Sequence, residues 1–159
     1  MSRLDAEPAH ESRGALSRAN LIVDSYARVV GKTLLPEGST FLERARALYD
    51  APFVVLAHGL GPDPCFDYGN RTAQRLFELE WSELLLLPSR LSAETPDRAE
   101  RQRLLNAVSA RGYIDDYSGI RVSRSGRRFR ITNATVWNLV DEGGELRGQA
   151  ATFAQWTPL

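Results

Sequence analysis

The 159-residue chain has few of the residues on which metal and redox chemistry depend. It contains one cysteine, Cys65, and two histidines, His10 and His58. A single cysteine excludes an internal disulfide and a cysteine-based zinc site. The two histidines do not have the spacing of metal ligands, and neither has an evident carboxylate partner. We therefore predict no metal site and no cofactor.

The chain also lacks an excess of charge and a long hydrophobic run. Twenty basic residues balance twenty acidic residues, so the formal net charge is zero. No overall field would draw such a chain to nucleic acid or to an anionic membrane, whereas neutrality permits self-association. No run is long enough to cross a bilayer, and residues 1–14 contain no apolar signal core. A cytoplasmic location without nucleic-acid or membrane partners is expected.

Recognisable catalytic motifs are missing as well. The chain has no nucleophile elbow, Walker loop or dinucleotide-binding fingerprint. Asp115 and Asp116 are adjacent on a predicted strand, so their side chains point to opposite faces and do not form a paired acid–base site. Cys65 is interpreted as a small buried hydrophobic residue. These observations predict a protein that is not an enzyme.

What is present indicates one globular domain with a helical N-terminal extension. The composition, 43% hydrophobic and 25% charged, is typical of a packed domain. We divide the chain into a flexible tail (1–13), a helical extension (14–50) and the main domain (51–159). The extension contains two amphipathic helices. The first covers residues 15–31. The second begins near Ser39 or Thr40, with Thr40 and Glu43 spaced as a capping box, and continues to Pro52. We favour packing of both helices on the domain's own sheet, with dimerisation through the first helix as the alternative.

The next segment has the order strand, strand, helix. Residues 53–56 form a short apolar run of β-forming residues, and residues 65–68 form a second run after a turn-forming Asp–Pro pair. Asn70 follows as a predicted helix cap, and apolar residues then recur at helical spacing.

The second half of the chain changes from helical to strand periodicity. A helix is predicted over residues 97–111, followed by strands 116–124, 127–140 and 145–156, which glycine-containing turns join as hairpins. In the middle strand, alternation places Phe129, Ile131, Asn133 and Trp137 on one face. Because polar and apolar residues mix on both faces, we predict a lined concavity or a second packed layer. Five strands with helices make an α+β domain.

Several segments together resemble the MEKHLA domain family in its stand-alone bacterial form. They are the motif Y-x-N-x-x-A-x-x-L-F over residues 68–77, W-S-E-L over residues 81–84, L-P-S-R-L-S-A-E over residues 87–94, and residues 112–117, 125–129 and 134–138. The resemblance implies a PAS-like fold, with a five-stranded antiparallel sheet, helices on one face and two preceding N-terminal helices. It also implies a sensory or interaction role.

The resulting hypothesis is a non-enzymatic PAS-like sensory domain that binds a small molecule or a protein, with signalling through a homodimer or another partner. The candidate ligand pocket is formed by Phe53, Val55, His58, Phe66, Tyr68, Phe77, Tyr117, Phe129, Ile131, Asn133, Trp137 and Phe153. His58 either satisfies loop backbone or borders this pocket. The alternative hypothesis is a small α+β-barrel enzyme with a hydrophobic pocket, in which His58 acts as base beside Tyr68 and a carboxylate.

One basic cluster remains, about the turn at residues 125–126. Its members are Arg121, Arg124, Arg127, Arg128 and Arg130. We interpret the cluster as a solvated hairpin tip in preference to an anion-binding or partner-binding site.

Overall fold

The computed structural model describes residues 8–36, 40–94 and 98–159, without the side chains of residues 98 and 101. The helices are α1 (Arg13–Val30), α2 (Phe41–Tyr49), α3 (Arg71–Phe77), α4 (Trp81–Leu84) and α5 (Arg98–Arg111), with 3-10 turns at Ala9–Glu11 and Ser89–Ser92. The strands are β1 (Val54–His58), β2 (Phe66–Gly69), β3 (Tyr113–Val122), β4 (Arg128–Val140), β5 (Leu146–Phe153) and β6 (Gln155–Pro158). Within these residues, no helix is both long and apolar enough to span a membrane.

The strands form one antiparallel sheet in the order β2-β1-β5-β4-β3, and β6 also pairs with β4. The fold class is therefore α+β, as the sequence predicts. The last predicted strand is divided in two at Ala154. Its first part, β5, pairs with the second half of β4, and its second part, β6, pairs with the first half. The division coincides with a change of direction in β4.

That change occurs at Asn133, which has a left-handed backbone with φ of +53°. A residue in this conformation interrupts strict alternation, as in a β-bulge. Before it, Ile131 faces the same core as Ala134 and Val136 after it, whereas Trp137 faces the opposite core. The prediction that Ile131, Asn133 and Trp137 share one face is therefore wrong, because it assumed an unbroken period of two.

Both faces of the sheet are covered. One face packs against α3, α4 and α5 and forms the first core, which includes Phe66, Phe77 and Phe129. The other face packs against α1 and α2 and forms the second core, which includes Ile22 and Leu48. The N-terminal helices thus pack on the domain's own sheet, which is the interpretation favoured from the sequence.

Cross-strand register explains where α1 docks. Tyr68, Ala57, Ala150 and Trp137 are consecutive partners across β2, β1, β5 and β4. Directly opposite residues of antiparallel strands project to the same face, so two small side chains lie between two large aromatic ones. All four belong to the second core together with Ile22 of α1, which is fully buried. The row forms a trough that accepts the helix.

Part of the predicted N-terminal tail, residues 8–13, has defined structure. Residues 1–7 lie outside the described residues, whereas Ala9–Glu11 form a 3-10 turn against α2. The ring of His10 stacks on Tyr49 with a centroid separation of 3.7 Å, and Glu11 pairs with Arg46 at 2.6 Å. Burial lowers the pKa of His10. These contacts place residues 8–13 with the helical extension.

Cys65 is exposed, which corrects the prediction of a buried residue. It precedes β2 and forms an isolated bridge with Pro88. The side chain of the next residue, Phe66, occupies the inward position, and alternation along the chain turns Cys65 outward.

Candidate functional site

Asn70 joins the three elements that support the site. Its side-chain Oδ1 accepts hydrogen bonds from the backbone N–H of Val55 at 3.0 Å and of Ala73 at 3.1 Å. Its Nδ2 donates to the carbonyl oxygens of Leu48 at 3.1 Å and Phe53 at 2.8 Å. Asn70 is fully buried, so these bonds replace all of its contact with water. They fix the start of α3 to β1 and to the end of α2.

A cavity of about 220 Å³ lies between the sheet and the covering segment formed by the second 3-10 turn and α5. Its walls are mainly apolar, with contributions from Leu56, Phe66, Ile131, Val136 and Phe153. Enclosed apolar clefts with a few polar groups are the usual form of small-molecule sites. The cavity is therefore the candidate site.

Two neighbouring polar residues of the sheet line this cavity. His58 of β1 and Gln149 of β5 are direct cross-strand partners, and both line the cavity. The His58 Nδ1 lies 2.9 Å from the carbonyl oxygen of Gly59. Because a carbonyl only accepts, Nδ1 donates in this contact, and Nε2 is the ring nitrogen that stays free of it.

Arg121 of β3 also lines the cavity. Its guanidinium carbon lies 5.9 Å from the centroid of the Tyr117 ring. The only hydrogen bond of its side chain in the described structure is a long one, 3.4 Å, from Nη1 to the carbonyl oxygen of Ile120. The sequence pattern predicts Arg121 as part of the solvated hairpin cluster, whereas the structure places it at the cavity. The sequence holds one indication of this position. Arg121 is four residues after Tyr117 on the same strand, and residues an even number apart share a strand face.

Of the predicted pocket residues, the structure brings five to the cavity. They are His58, Phe66, Tyr117, Ile131 and Phe153. Two more, Phe77 and Phe129, belong to the first core without lining the cavity and pack edge to face on each other at 5.4 Å.

The remaining predicted residues are elsewhere. Phe53, Val55, Tyr68 and Trp137 pack in the second core, and Asn133 is exposed at the bend of β4. For Trp137 the reason is the reversal of faces at Asn133. For Tyr68, the reason is a bulge in β2. Ala57 pairs with Tyr68 and the next residue of β1, His58, pairs with Phe66, so β2 has one extra residue at this point. Tyr68 and Phe66 therefore face opposite cores although they are two residues apart.

The hydroxyl of Tyr68 is buried in the second core and has no hydrogen-bond partner among the described residues. Burial raises the pKa of this hydroxyl. A phenol held neutral on the far side of the sheet does not act as an acid or base in the cavity. The same core contains the Trp137 Nε1, which is also buried without a described partner.

The hairpin arginines divide between structural and cavity roles. Arg124 pairs with Glu83 of α4, and Arg128 pairs with Glu94. The hydrogen bond from Arg128 lowers the pKa of Glu94. These pairs attach the hairpin to α4 and to the residues that follow the second 3-10 turn. Arg128 is therefore occupied and is not available as an anion clamp.

The second 3-10 turn and the residue after it contribute cavity residues that the sequence predicted only as part of the family motif over residues 87–94. Ser89, Arg90, Ser92 and Ala93 line the cavity opposite the sheet. The guanidinium of Arg90 is held by Asp63 at 2.9 Å. Among the described residues, no group of three or more histidine, cysteine, aspartate or glutamate side chains is placed to hold a metal ion.

Comparison with protein families identifies one match. The model of the MEKHLA domain matches residues 16–158. No curated protein matches the chain.

Solved structures with a similar fold include PAS and light-oxygen-voltage domains. The PAS domain of a protein from Colwellia psychrerythraea has a TM-score of 0.57 at 14% identity, over 73% of this chain and 93% of that one. The photo-excited blue-light photoreceptor Vivid has a TM-score of 0.58 at 15% identity, over 84% and 94%. An RNA-binding light-oxygen-voltage receptor has a TM-score of 0.56 at 20% identity, over 72% of this chain and 32% of the receptor. At these identities the similarity is one of fold.

Proposed function

The chain belongs to the MEKHLA domain family and has a PAS-like fold, and from this premise we propose that it is a non-enzymatic sensory domain. It binds a small molecule in the cavity between the sheet and α5, and it transmits binding through a contact with another protein or a second copy of itself. The observation that carries the proposal is the cavity. Its volume of about 220 Å³ exceeds the roughly 150 Å³ of an engineered apolar cavity that binds benzene.

The chemistry of the lining supports binding in preference to catalysis. The lining residues include no aspartate or glutamate among the described residues. His58 Nδ1 bonds the backbone carbonyl of Gly59, so in the described structure no carboxylate stabilises the charge that the ring would gain as a general base. Tyr68, the other residue of the alternative enzyme hypothesis, lies on the opposite face of the sheet.

Arg18 of α1 contacts the strand end that borders the cavity, and this contact can transmit ligand binding to α1. Its Nη2 donates to the carbonyl oxygen of His58 at 3.1 Å, and its Nε donates to Asp67 at 3.1 Å. The side chain of His58 lines the cavity on the other face of the sheet. A ligand that moves the end of β1 therefore changes the attachment of α1.

Gly148 makes this contact possible. A Cβ atom at this position would lie 2.2 Å from the His58 carbonyl oxygen and 2.7 Å from Arg18 Nη2. Its φ of +148° is also one that other residues rarely adopt. The output we propose is a change in the packing of α1 and α2, read by a homodimer or partner protein. The apolar stripe of α1 is used in the second core, so a dimer would use its outer, polar face.

Mass spectrometry of the freshly purified protein tests the proposal. We expect a complex that is heavier under native than under denaturing conditions, with the difference giving the mass of the ligand. In the variant Ala134→Leu, a larger side chain reduces the cavity, and the extra mass should be lost. Ala110→Leu on the exposed face of α5 is the matched control and should keep it.

The oligomeric state is read from the same native spectrum. An unchanged mass in both conditions, with no small molecule restoring a difference, would contradict ligand binding. The domain would then be an interaction module without a ligand.

A further inference from the structure

The geometry points to the class of molecule that the cavity takes, and we propose that it is a small organic acid. Its carboxylate is bound by the guanidinium of Arg121, and its apolar body occupies the cavity. The proposal rests on the ligand-binding function proposed above and specifies it.

The arginines of this chain are extensively paired, which makes Arg121 an exception. Ten arginines lie within 4.0 Å of a carboxylate in the described structure. Among the arginines with described side chains, only Arg121 is half-buried and has no such partner there. A partly buried charge is costly unless it is paired. The missing partner is therefore expected to be an anion that enters the cavity.

The surroundings of Arg121 suit a carboxylate. A guanidinium presents parallel N–H donors that match the two oxygens of a carboxylate. Gly119 leaves space beside it, because a Cβ there would lie 3.5 Å from Arg121 Nη1 and 3.4 Å from the Tyr117 hydroxyl. The other cavity arginine, Arg90, is already held by Asp63.

The rest of the cavity defines the body of the ligand. The walls beyond Arg121 are mainly apolar, and their polar members include His58 of β1 and its cross-strand partner Gln149 of β5. Because about 150 Å³ holds the six carbons of benzene, about 220 Å³ holds about nine non-hydrogen atoms by proportion. This corresponds to an aromatic or branched aliphatic monocarboxylic acid. His58 and Gln149 are the polar residues that a hydroxyl or amino substituent on this body would find in the sheet.

Calorimetric titration with matched probes tests the inference. Benzoate has the expected size and charge, benzamide replaces the carboxylate by a neutral amide, and toluene keeps only the apolar body. We expect benzoate to bind the unmodified chain most tightly. Arg121→Gln should weaken benzoate binding about 10- to 100-fold and leave toluene binding unchanged, because a charged hydrogen-bonded pair is lost. Arg121→Lys keeps the charge without the paired donors and should give an intermediate loss.

Arg127→Gln is the control, because Arg127 is an exposed arginine of the same hairpin that does not line the cavity. It should bind benzoate as the unmodified chain does. If benzamide or toluene binds as tightly as benzoate, or if Arg121→Gln has no effect, the acid assignment is overturned while the ligand-binding function stands. If none of the three probes binds and the native mass shows no ligand, both proposals fail.

Discussion

Replacing Asn70 by aspartate changes the side-chain amide to a carboxyl group of nearly the same size and shape. Asn70 is buried and makes four side-chain hydrogen bonds. The carboxylate oxygen can still accept from the N–H groups of Val55 and Ala73. The second oxygen replaces the amide that donates to Leu48 and Phe53, at 3.1 and 2.8 Å. Two buried carbonyls thereby lose their donor, and a negative charge is placed against them.

The cost follows from these two contacts. A buried acceptor left without a donor costs about 1–3 kcal/mol, so the two together cost about 2–6 kcal/mol. Burial of the charge adds to this. A domain of this kind is stabilised by about 5–15 kcal/mol in total, so Asn70→Asp should remove a large part of its free energy of unfolding.

The dependence on pH distinguishes this mechanism from a general loss of packing. Burial and the facing carbonyls raise the pKa of the introduced carboxyl in the folded state above the value of about 3.9 in the unfolded state. Between these two pKa values the folded state binds more protons, so the variant loses stability as pH rises. Below the unfolded pKa, the neutral acid donates to one carbonyl and part of the loss is recovered.

Urea unfolding followed by circular dichroism at pH values from 4 to 7 measures both effects. The control is Asn106→Asp, an amide-to-acid change at an exposed position of α5, which should alter stability by less than about 0.5 kcal/mol. The reasoning is refuted if Asn70→Asp lies within about 1 kcal/mol of the unmodified chain at pH 7, an effect smaller than even one lost donor implies. It is also refuted if the loss of stability is the same at pH 4 and pH 7.

Three further outcomes are expected. Gly69→Ala would place a Cβ 2.0 Å from Cδ2 of the buried Leu84 and should cost about 1–3 kcal/mol in urea unfolding, whereas Gly14→Ala in α1 meets no atom within 4 Å and should not destabilise. Arg18→Gln removes the hydrogen bonds from α1 to His58 of β1 and Asp67 of β2, so amide hydrogen exchange should become faster in α1 and stay unchanged in α5. Burial lowers the pKa of His10, so the unfolding free energy should fall as pH drops below about 6.5, and an NMR titration of His10 showing a pKa at or above that value would contradict this.

Local features of the fold were predictable because they depend on neighbouring residues. The start of α2 at Thr40 and its bond to the Glu43 N–H follow from the spacing of a capping box. The αL conformation of Gly112, which follows α5, reflects the freedom of glycine. The α+β class with an antiparallel sheet also followed, since strand periodicity and turn residues alternate in order along the chain.

The composition of the cavity was predictable only in part. His58, Phe66 and Tyr117 line it as expected. Tyr68 and Trp137 do not, because their faces depend on the pairing of whole strands. A single left-handed residue, Asn133, exchanges the faces to which the side chains of the second half of β4 point. Nothing in the local pattern requires asparagine to adopt that conformation.

The sequence by itself determined the elements of this protein, their order, the family and the lack of an ordinary catalytic motif, since each of these depends on residue type and short spacing. Tertiary structure alone decided which residues share the cavity and that Arg121 lies there without a described carboxylate. It also decided that α1 occupies the trough between Tyr68 and Trp137. These three features depend on residues that are far apart in the chain. Strand register decides which side chains become neighbours, and the arginine and carboxylate side chains within reach decide which ion pairs form. Periodicity does not encode either of them.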